Sequence, residues 1–368
     1  MMKKKVLFVF PTAVLGGAER VMFNVIKMLL KDGHYVTVYI MSRGEQKGWD
    51  SIKNHTNLNF VIKKYKSEKT SLPDSLFSLF YLSHINKYDY TFSSHTHING
   101  VLSFMRKTKL FKTNYLISRE STFVFERYFG LSRLMFKSIY KLMYGDQNLI
   151  VCQTEQMRQS LIQNLGYQPA RKIEVVANPI NLDYIAEQIA NSEVHTKPFT
   201  NLIVACGRLI PLKKFDFLIE AFAKIHTSFP ELGLVIVGDG SEYESLNNLV
   251  QRLGLVENIL FTGRIDNPIQ WFSKADIGII SSEIEGFPNV LIEMMAAGIK
   301  QVITTPCTDG VNNIPHILIT EACSVESIAN SLNSYLSNPI DNSEVNKDYI
   351  KNNRSAESFW QKIKEHIE

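Results

Sequence analysis

Lys3-Lys4-Lys5-Val6-Leu7-Phe8-Val9-Phe10-Pro11-Thr12-Ala13-Val14-Leu15-Gly16-Gly17-Ala18-Glu19-Arg20-Val21-Met22-Phe23-Asn24-Val25-Ile26-Lys27-Met28-Leu29-Leu30 holds three patterns in succession. An apolar run starts at Val6 and is interrupted by Pro11 and Thr12. The glycine pair Gly16-Gly17 follows, and from Glu19 onward apolar residues recur at the spacing of a helix buried on one side. A second apolar run at 35–41 completes strand, turn, helix and strand, which is a βαβ unit and the start of a parallel sheet. The basic triplet before an apolar run superficially copies a secretory signal. Pro11 and the amphipathic helix argue against that reading, and no stretch approaches the ~20 uninterrupted apolar residues of a membrane span. The expectation is a chain neither exported nor integral to a membrane.

The same alternation continues outward. Strands are expected at 90–93, 115–118 and 149–152, and a short one at 175–178 ended by a turn at Pro179. The polar segment 181–200, with Pro198, is expected to connect two domains. A second series opens at 202–206 and continues with strands at 234–237, 259–261, 277–281 and 302–305. A polar segment at 338–353 precedes a last amphipathic helix at 356–367. Two successive parallel α/β series in 368 residues predict two Rossmann-like domains facing a central cleft.

Composition narrows the class. With 45% hydrophobic and 21% charged residues the chain has enough apolar side chain for two cores and too little charge for disorder. Cys152, Cys206, Cys307 and Cys323 lie far apart, so neither a disulfide framework nor a zinc finger is indicated, as suits a reducing cytosol. The net charge of +4 hides an asymmetry: residues 1–180 carry 26 Lys+Arg against 12 Asp+Glu, leaving 14 against 24 for the remainder. A half at +14 suits an anionic partner, either nucleic acid or a membrane leaflet; ordinary solvated lysines are the plainer explanation.

Two Rossmann-like domains invite a dehydrogenase reading, but Gly-x-Gly-x-x-Gly is absent: Gly238-Asp239-Gly240 has Tyr243 at the third glycine position. No Walker motif and no Asp-x-Asp occurs either. In the second half, Arg208 and Lys213 share one strand-to-helix loop, where a guanidinium fork and a movable ammonium can clamp phosphates. Downstream, the strand at 277–281 delivers Glu283-Ile284-Glu285-Gly286-Phe287-Pro288-Asn289 and a helix at 290–297 ended by Gly298. Its free N-terminal amides make an anion site, with Glu285 in the loop and Glu293 on the helix.

These segments, with Gly16-Gly17-Ala18-Glu19-Arg20, Asn178-Pro179, Gly207-Arg208-Leu209, Phe261-Thr262-Gly263-Arg264 and Glu285 and Glu293 as a Glu-x7-Glu pair, are similar to the family-4 retaining glycosyltransferases of the GT-B fold, over essentially the whole chain. The resemblance implies that Arg208 and Lys213 hold a nucleotide diphosphate, Glu293 the ribose, and Glu285 the transferred sugar. It implies base contacts at Arg264 and Ile265, phosphate contacts at the amides of Phe287, Asn289 and Val290, and donor contacts at Gly238. Gly16 and Gly17 would lie across the cleft, near phosphate and acceptor. The implied domains are residues 1–180 with a C-terminal helix at about 355–368, a linker at 181–200, and a donor-binding domain at 201–354. Lys214 replaces the family's usual glycine after the clamp lysine, and Ile299 the usual proline after Gly298. His95 or His97 stands where many members place a histidine at the donor sugar, and Arg119-Glu120 resembles an acceptor-side segment.

The family implies a retaining, metal-independent transferase without cofactor, moving a hexose or N-acetylhexosamine from a nucleotide-sugar, by family frequency UDP-linked. The acceptor would be a lipid-linked glycan in surface polysaccharide synthesis (O-antigen, capsule or related). The chain would be cytoplasmic and peripherally attached to the inner membrane face. Residues 123–144, where Phe125, Tyr128, Phe129, Leu134, Met135, Phe136, Ile139, Tyr140 and Met143 interleave with Arg127, Arg133, Lys137 and Lys141, read as a basic amphipathic helix for a headgroup layer or as a core helix. The alternatives are a nucleotide-sugar epimerase on the same fold and a basic nucleic-acid-binding protein. The dispersed basic residues and acidic second half count against nucleic acid.

Overall fold

Apolar runs bounded by turn residues become buried parallel strands in the computed structural model, which describes residues 3–44, 48–165, 172–193 and 197–368. The chain divides into two units: one runs through Pro179 and regains Ala356–Glu368, and the other is Ile180–Ser355.

Unit 1 contains β1 (Lys5–Thr12), α1 (Gly17–Lys31), β2 (Tyr35–Ser42), β3 (Leu58–Ile62), α2 (Glu68–Asn86), β4 (Tyr88–Ser93), α3 (Thr96–Lys107), β5 (Thr113–Arg119), α4 (Val124–Arg127), α5 (Gly130–Met143), β6 (Leu149–Cys152), α6 (Glu155–Leu165) and β7 (Lys172–Val175). Its strands are parallel in the order β3-β2-β1-β4-β5-β6-β7. Alternate residues of β1 serve opposite faces. Val6, Phe8 and Phe10 join α1 and the chain's last helix in one cluster with Trp49, Phe359 and Trp360. Leu7 and Val9 join α2 and α3 through Leu79, Ile98 and Leu102 in the other.

Unit 2 contains α7 (Leu182–Ala190), β8 (Asn201–Cys206), α8 (Phe215–His226), β9 (Leu232–Val237), α9 (Tyr243–Arg252), β10 (Ile259–Gly263), α10 (Ile269–Phe272), β11 (Ile277–Ile280), α11 (Asn289–Ala297), β12 (Gln301–Thr304), β13 (Leu318–Ile319), α12 (Val325–Ser337) and α13 (Ser343–Asn353). The order β10-β9-β8-β11-β12-β13 is again fully parallel. The returning helix α14 (Ala356–Ile367) packs on α1, with Trp360 edge-on to Tyr90 at 4.9 Å between ring centres.

Both sheets reverse direction of growth once, between β1 and β4 and between β8 and β11. Loops leaving the C-terminal ends of such strand pairs diverge and leave a crevice, where doubly wound sheets bind their ligands. Gly16-Gly17 and His95 therefore flank the switch point of unit 1, and Arg208, Lys213 and Glu285 flank that of unit 2. No helix among the described residues is long and apolar enough to cross a membrane.

Two expectations are corrected, and two strands are new. The segment 181–200 is not a bare connection: Asn181 accepts from the Tyr184 amide at 3.0 Å, capping α7, whose Ile185 is buried in the core of unit 2. The crossing lies between Pro179 and Ile180, where the Ile180 amide donates to the Arg354 carbonyl at 2.7 Å. The strand expected at 175–178 sits earlier, as β7, because its register is set by pairing with β6. Finally, β3 and β13 were not anticipated: β3 is a half-buried edge, and β13 is a two-residue exposed edge.

Candidate active site

The unit 2 crevice is built on close backbone contacts. At Gly238 (φ +145°) a Cβ would lie 1.9 Å from the Gly207 carbonyl oxygen, and at Gly240 it would lie 2.3 Å from that of Leu209. These glycines let the loop after β9 press against the loop after β8, so Gly238 is explained by backbone approach. The Gly238 amide donates to the Gly263 carbonyl at 3.0 Å, bringing the turn before Arg264 and Ile265 to the same edge. Arg264 is exposed there and Ile265 half-buried.

Arg208 follows Gly207 and is exposed; among the described residues its guanidinium pairs with no carboxylate. Lys213 ends a short 3-10 turn, Pro211–Lys213. Its ammonium forms an ion pair with Glu285, whose Oε1 also accepts from Ser282 Oγ at 2.8 Å. Two further bonds fix this arrangement: Ser281 Oγ donates to the Lys213 carbonyl at 2.7 Å, and the Glu283 amide donates to the Leu212 carbonyl at 2.9 Å. Lys214 turns elsewhere, in left-handed backbone (φ +49°), to Glu283 at 3.2 Å. That hydrogen bond raises its pKa. The family's glycine at this position has its physical reason in that φ.

The Glu285 amide donates to the Cys307 carbonyl at 2.9 Å. Burial, with the Glu285 charge, pushes the Cys307 thiol up to about 12, so it is no nucleophile near neutrality. Phe287 is buried beneath the Arg354 guanidinium, 5.0 Å from the ring centre, and so can offer a ligand only backbone. Asn289 and Val290 form the first turn of α11, where helix geometry leaves amides without intrahelical acceptors. Glu293 lies one turn further on, half-buried.

Unit 1 presents a second polar crevice. Gly16 caps α1, and a Cβ there would lie 2.8 Å from Glu19 Oε2. Glu19 is itself buried, and its Oε1 meets His95 Nε2 at 3.0 Å. Glu19 was not assigned a role from sequence; its signal was its place in the first turn after the glycine pair. His97 turns away to Glu68 of α2 at 3.1 Å.

Arg119 and Glu120, expected to face an acceptor, are each 1% exposed, which corrects that expectation. Arg119 Nη2 donates to Asn178 Oδ1 at 2.7 Å, while Nε and Nη1 are buried without hydrogen-bond partners. Burial pulls the guanidinium down to about 10 against the opposing pull of Glu19 and Glu120. The Glu120 carboxylate accepts from Tyr144 OH (2.6 Å), Tyr140 OH (2.8 Å), Thr96 Oγ1 (3.0 Å) and Asn99 Nδ2 (3.1 Å). It thereby ties α5 to the first turn of α3, directly after His95. The segment 123–144 is correspondingly split. Phe123, Phe125, Tyr140 and Tyr144 are interior, whereas Phe129, Leu131, Leu134, Met135 and Leu142 are exposed.

Two doubly wound parallel units of this kind, the second regaining no part of the chain and the first closed by the last helix, define the GT-B fold. Residues 15–184 match the family model "Glycosyltransferase Family 4" and residues 187–356 match "Glycosyl transferases group 1". The chain belongs to the family-4 glycosyltransferases. One relative is the N-acetylgalactosamine-N,N'-diacetylbacillosaminyl-diphospho-undecaprenol 4-alpha-N-acetylgalactosaminyltransferase of Campylobacter jejuni, 32% identical over 180 residues, which is 49% of this chain and 46% of that protein. Another is the lipopolysaccharide core biosynthesis glycosyltransferase LpsD of Rhizobium meliloti, 32% identical over 42% of this chain and 43% of that one. The chain thus matches less than half the length of each. Among solved structures, Anabaena HepE in complex with UDP and glucose superposes with a TM-score of 0.79 at 18% identity over 98% of both chains. WaaG, a glycosyltransferase involved in lipopolysaccharide biosynthesis, superposes with a TM-score of 0.68 at 18% identity over 95% of this chain and 94% of that one.

Proposed function

We propose that this protein is a retaining glycosyltransferase that moves a hexose or N-acetylhexosamine from a UDP-sugar to a lipid-linked glycan during synthesis of a bacterial surface polysaccharide. The observation that carries the reading is the meeting of Lys213, Glu285 and Ser282 at the unit 2 switch point, beside the amide end of α11. That arrangement offers positive charge and N–H donors to a diphosphate and a carboxylate to a sugar hydroxyl. The Campylobacter relative, named for an undecaprenol-linked acceptor, and the UDP and glucose of the HepE complex support the acceptor and donor classes.

In the proposed mechanism Arg208 and Lys213 bind the leaving diphosphate, the amides of Phe287, Asn289 and Val290 add donors, and Glu293 holds the ribose. The bond from the anomeric carbon to phosphate oxygen breaks as the acceptor oxygen bonds to the same face. The acceptor proton passes to the departing phosphate, so no protein nucleophile is needed. Protein cations carry the developing charge, and no metal takes part in the chemistry. In unit 1, Glu19 holds His95 at the switch point. Arg119 and Glu120 act by positioning, and the chain works on the cytoplasmic membrane face.

A thermal-shift panel of UDP-, GDP- and ADP-sugars in EDTA tests the donor. A UDP-sugar at ~100 times its Kd raises stability by roughly 2.7 kcal/mol. Stabilisation by GDP- or ADP-sugars alone overturns the choice of base. A strict divalent-metal requirement for turnover overturns the metal-independent mechanism. Conversion of donor without release of UDP favours the epimerase, and salt-sensitive binding of random oligonucleotides favours the nucleic-acid reading.

A further inference from the structure

At the N-terminal ends of β4 and β5, the end of the sheet opposite His95, a cavity of about 450 Å³ opens. Four of its eight lining residues are Lys87, Arg106, Lys109 and Lys112, and none is acidic. Arg106 is already engaged: its guanidinium donates to the Asp146 carbonyl at 2.7 Å and to Asn148 Oδ1, with the Asp146 carboxylate 3.6 Å from Nε. The other nearby carboxylate, Asp89, accepts from the Lys5 amide at 2.8 Å and from Asn114 at 3.4 Å. Lys87, Lys109 and Lys112 are exposed and, among the described residues, enter no ion pair.

The backbone supplies a second, independent observation. Lys87 (φ +52°) closes α2 and Lys109 (φ +61°) lies just beyond α3. They are two of the four non-glycine residues with left-handed φ among the described residues, and both line this one cavity. Helix ends of this kind favour glycine or asparagine, whose backbones reach that region without strain. A helix dipole accounts for a cation near each C-terminus. It does not account for lysine in the strained position itself at both ends, nor for Lys112, which lies past both helices.

We propose that this cavity is a binding site for a phosphate or diphosphate ester, separate from the donor site of unit 2. Three ammonium groups held around one concavity suit the charge and spread of phosphate oxygens. The exposed apolar residues Ile85 and Leu110 at neighbouring positions admit a lipid-borne phosphate as readily as a soluble one.

The test compares the full-length chain with the Lys87→Gly/Lys109→Gly variant, which removes two cations while relieving two left-handed positions. The variant is expected to melt no lower than the wild type. Inorganic pyrophosphate binding, measured by calorimetry with UDP present, is expected to weaken at least about tenfold in the variant, the loss of one or two charge-assisted hydrogen bonds. UDP binding should be unchanged. A parallel arm uses phosphatidylglycerol–phosphatidylcholine vesicles. Loss of vesicle binding in the variant assigns the phosphate to a lipid headgroup, and loss of pyrophosphate binding alone assigns it to a soluble ester. Equal binding of both probes by wild type and variant, or no binding of either by the wild type, overturns the proposal.

Discussion

Lys213 and Lys214, adjacent in one turn, reach different carboxylates, Glu285 and Glu283. Only the first pair lies at the switch point. Replacing Lys213 by Ala should lower kcat/KM on the order of 10²-fold, the scale of losing one group that stabilises a leaving diphosphate. Lys214→Ala should do far less. Lys214→Gly should raise stability by about 1 kcal/mol, because φ +49° is strained for any side chain. Steady-state kinetics and thermal melts of the three variants check this, and equal kinetic losses at both lysines would contradict it. Lys213 and Glu285 were readable as a pair of motifs, yet their contact was not, since 72 residues separate them in sequence. Glu19 escaped assignment for the same reason: its partner His95 is brought to it only by the pairing of β1 with β4.

At the scale of elements, α5 and α3 are joined through one carboxylate. Glu120 accepts from both Tyr140 on α5 and Tyr144, the residue just past its end. Burial, with Glu120 adding to it, raises both phenol pKa values, so each remains a donor across the usable pH range. Glu120→Ala removes the acceptor shared by Tyr140, Tyr144, Thr96 and Asn99 and should destabilise the fold by about 1–3 kcal/mol for each buried donor that loses its partner. The double change Tyr140→Phe/Tyr144→Phe should cost less than their separate penalties added, since all three groups share one network. Denaturant melts of the variants measure this; strict additivity would show that no such network operates. Most of the β-strands that sequence revealed have continuous buried apolar runs, such as β1 and β11. The ones it did not reveal, β3 and β13, are edges whose residues need satisfy only one neighbour. In the same way α7 reads as polar linker because only one side of it is buried.

At the scale of the whole molecule, the charge is divided: residues 1–180 hold 26 cations against 12 anions, and the exposed side of α5 adds Leu131, Leu134, Met135 and Leu142 to Lys137 and Lys141. Each cation near an anionic leaflet is worth about 1 kcal/mol. Flotation with liposomes should therefore increase with anionic lipid and fall with salt. It should weaken when Lys137 and Lys141 become Glu, and indifference to lipid charge would remove the membrane from the account. The two-unit architecture was legible because each half repeats strand and helix in order. Which side of α5 faces solvent was not legible, because the same aromatic-rich segment supplies both core tyrosines and exposed leucines.

The most direct test of the central claim is transfer itself. Purified protein is incubated in EDTA with radiolabelled UDP-N-acetylhexosamine or UDP-hexose and a polyprenyl-diphosphate-linked glycan. The account predicts label in the lipid fraction, one UDP released per sugar transferred, and the donor's anomeric configuration kept in the product. Donor consumed with no label reaching the lipid-linked glycan, or a product of inverted configuration, would contradict it.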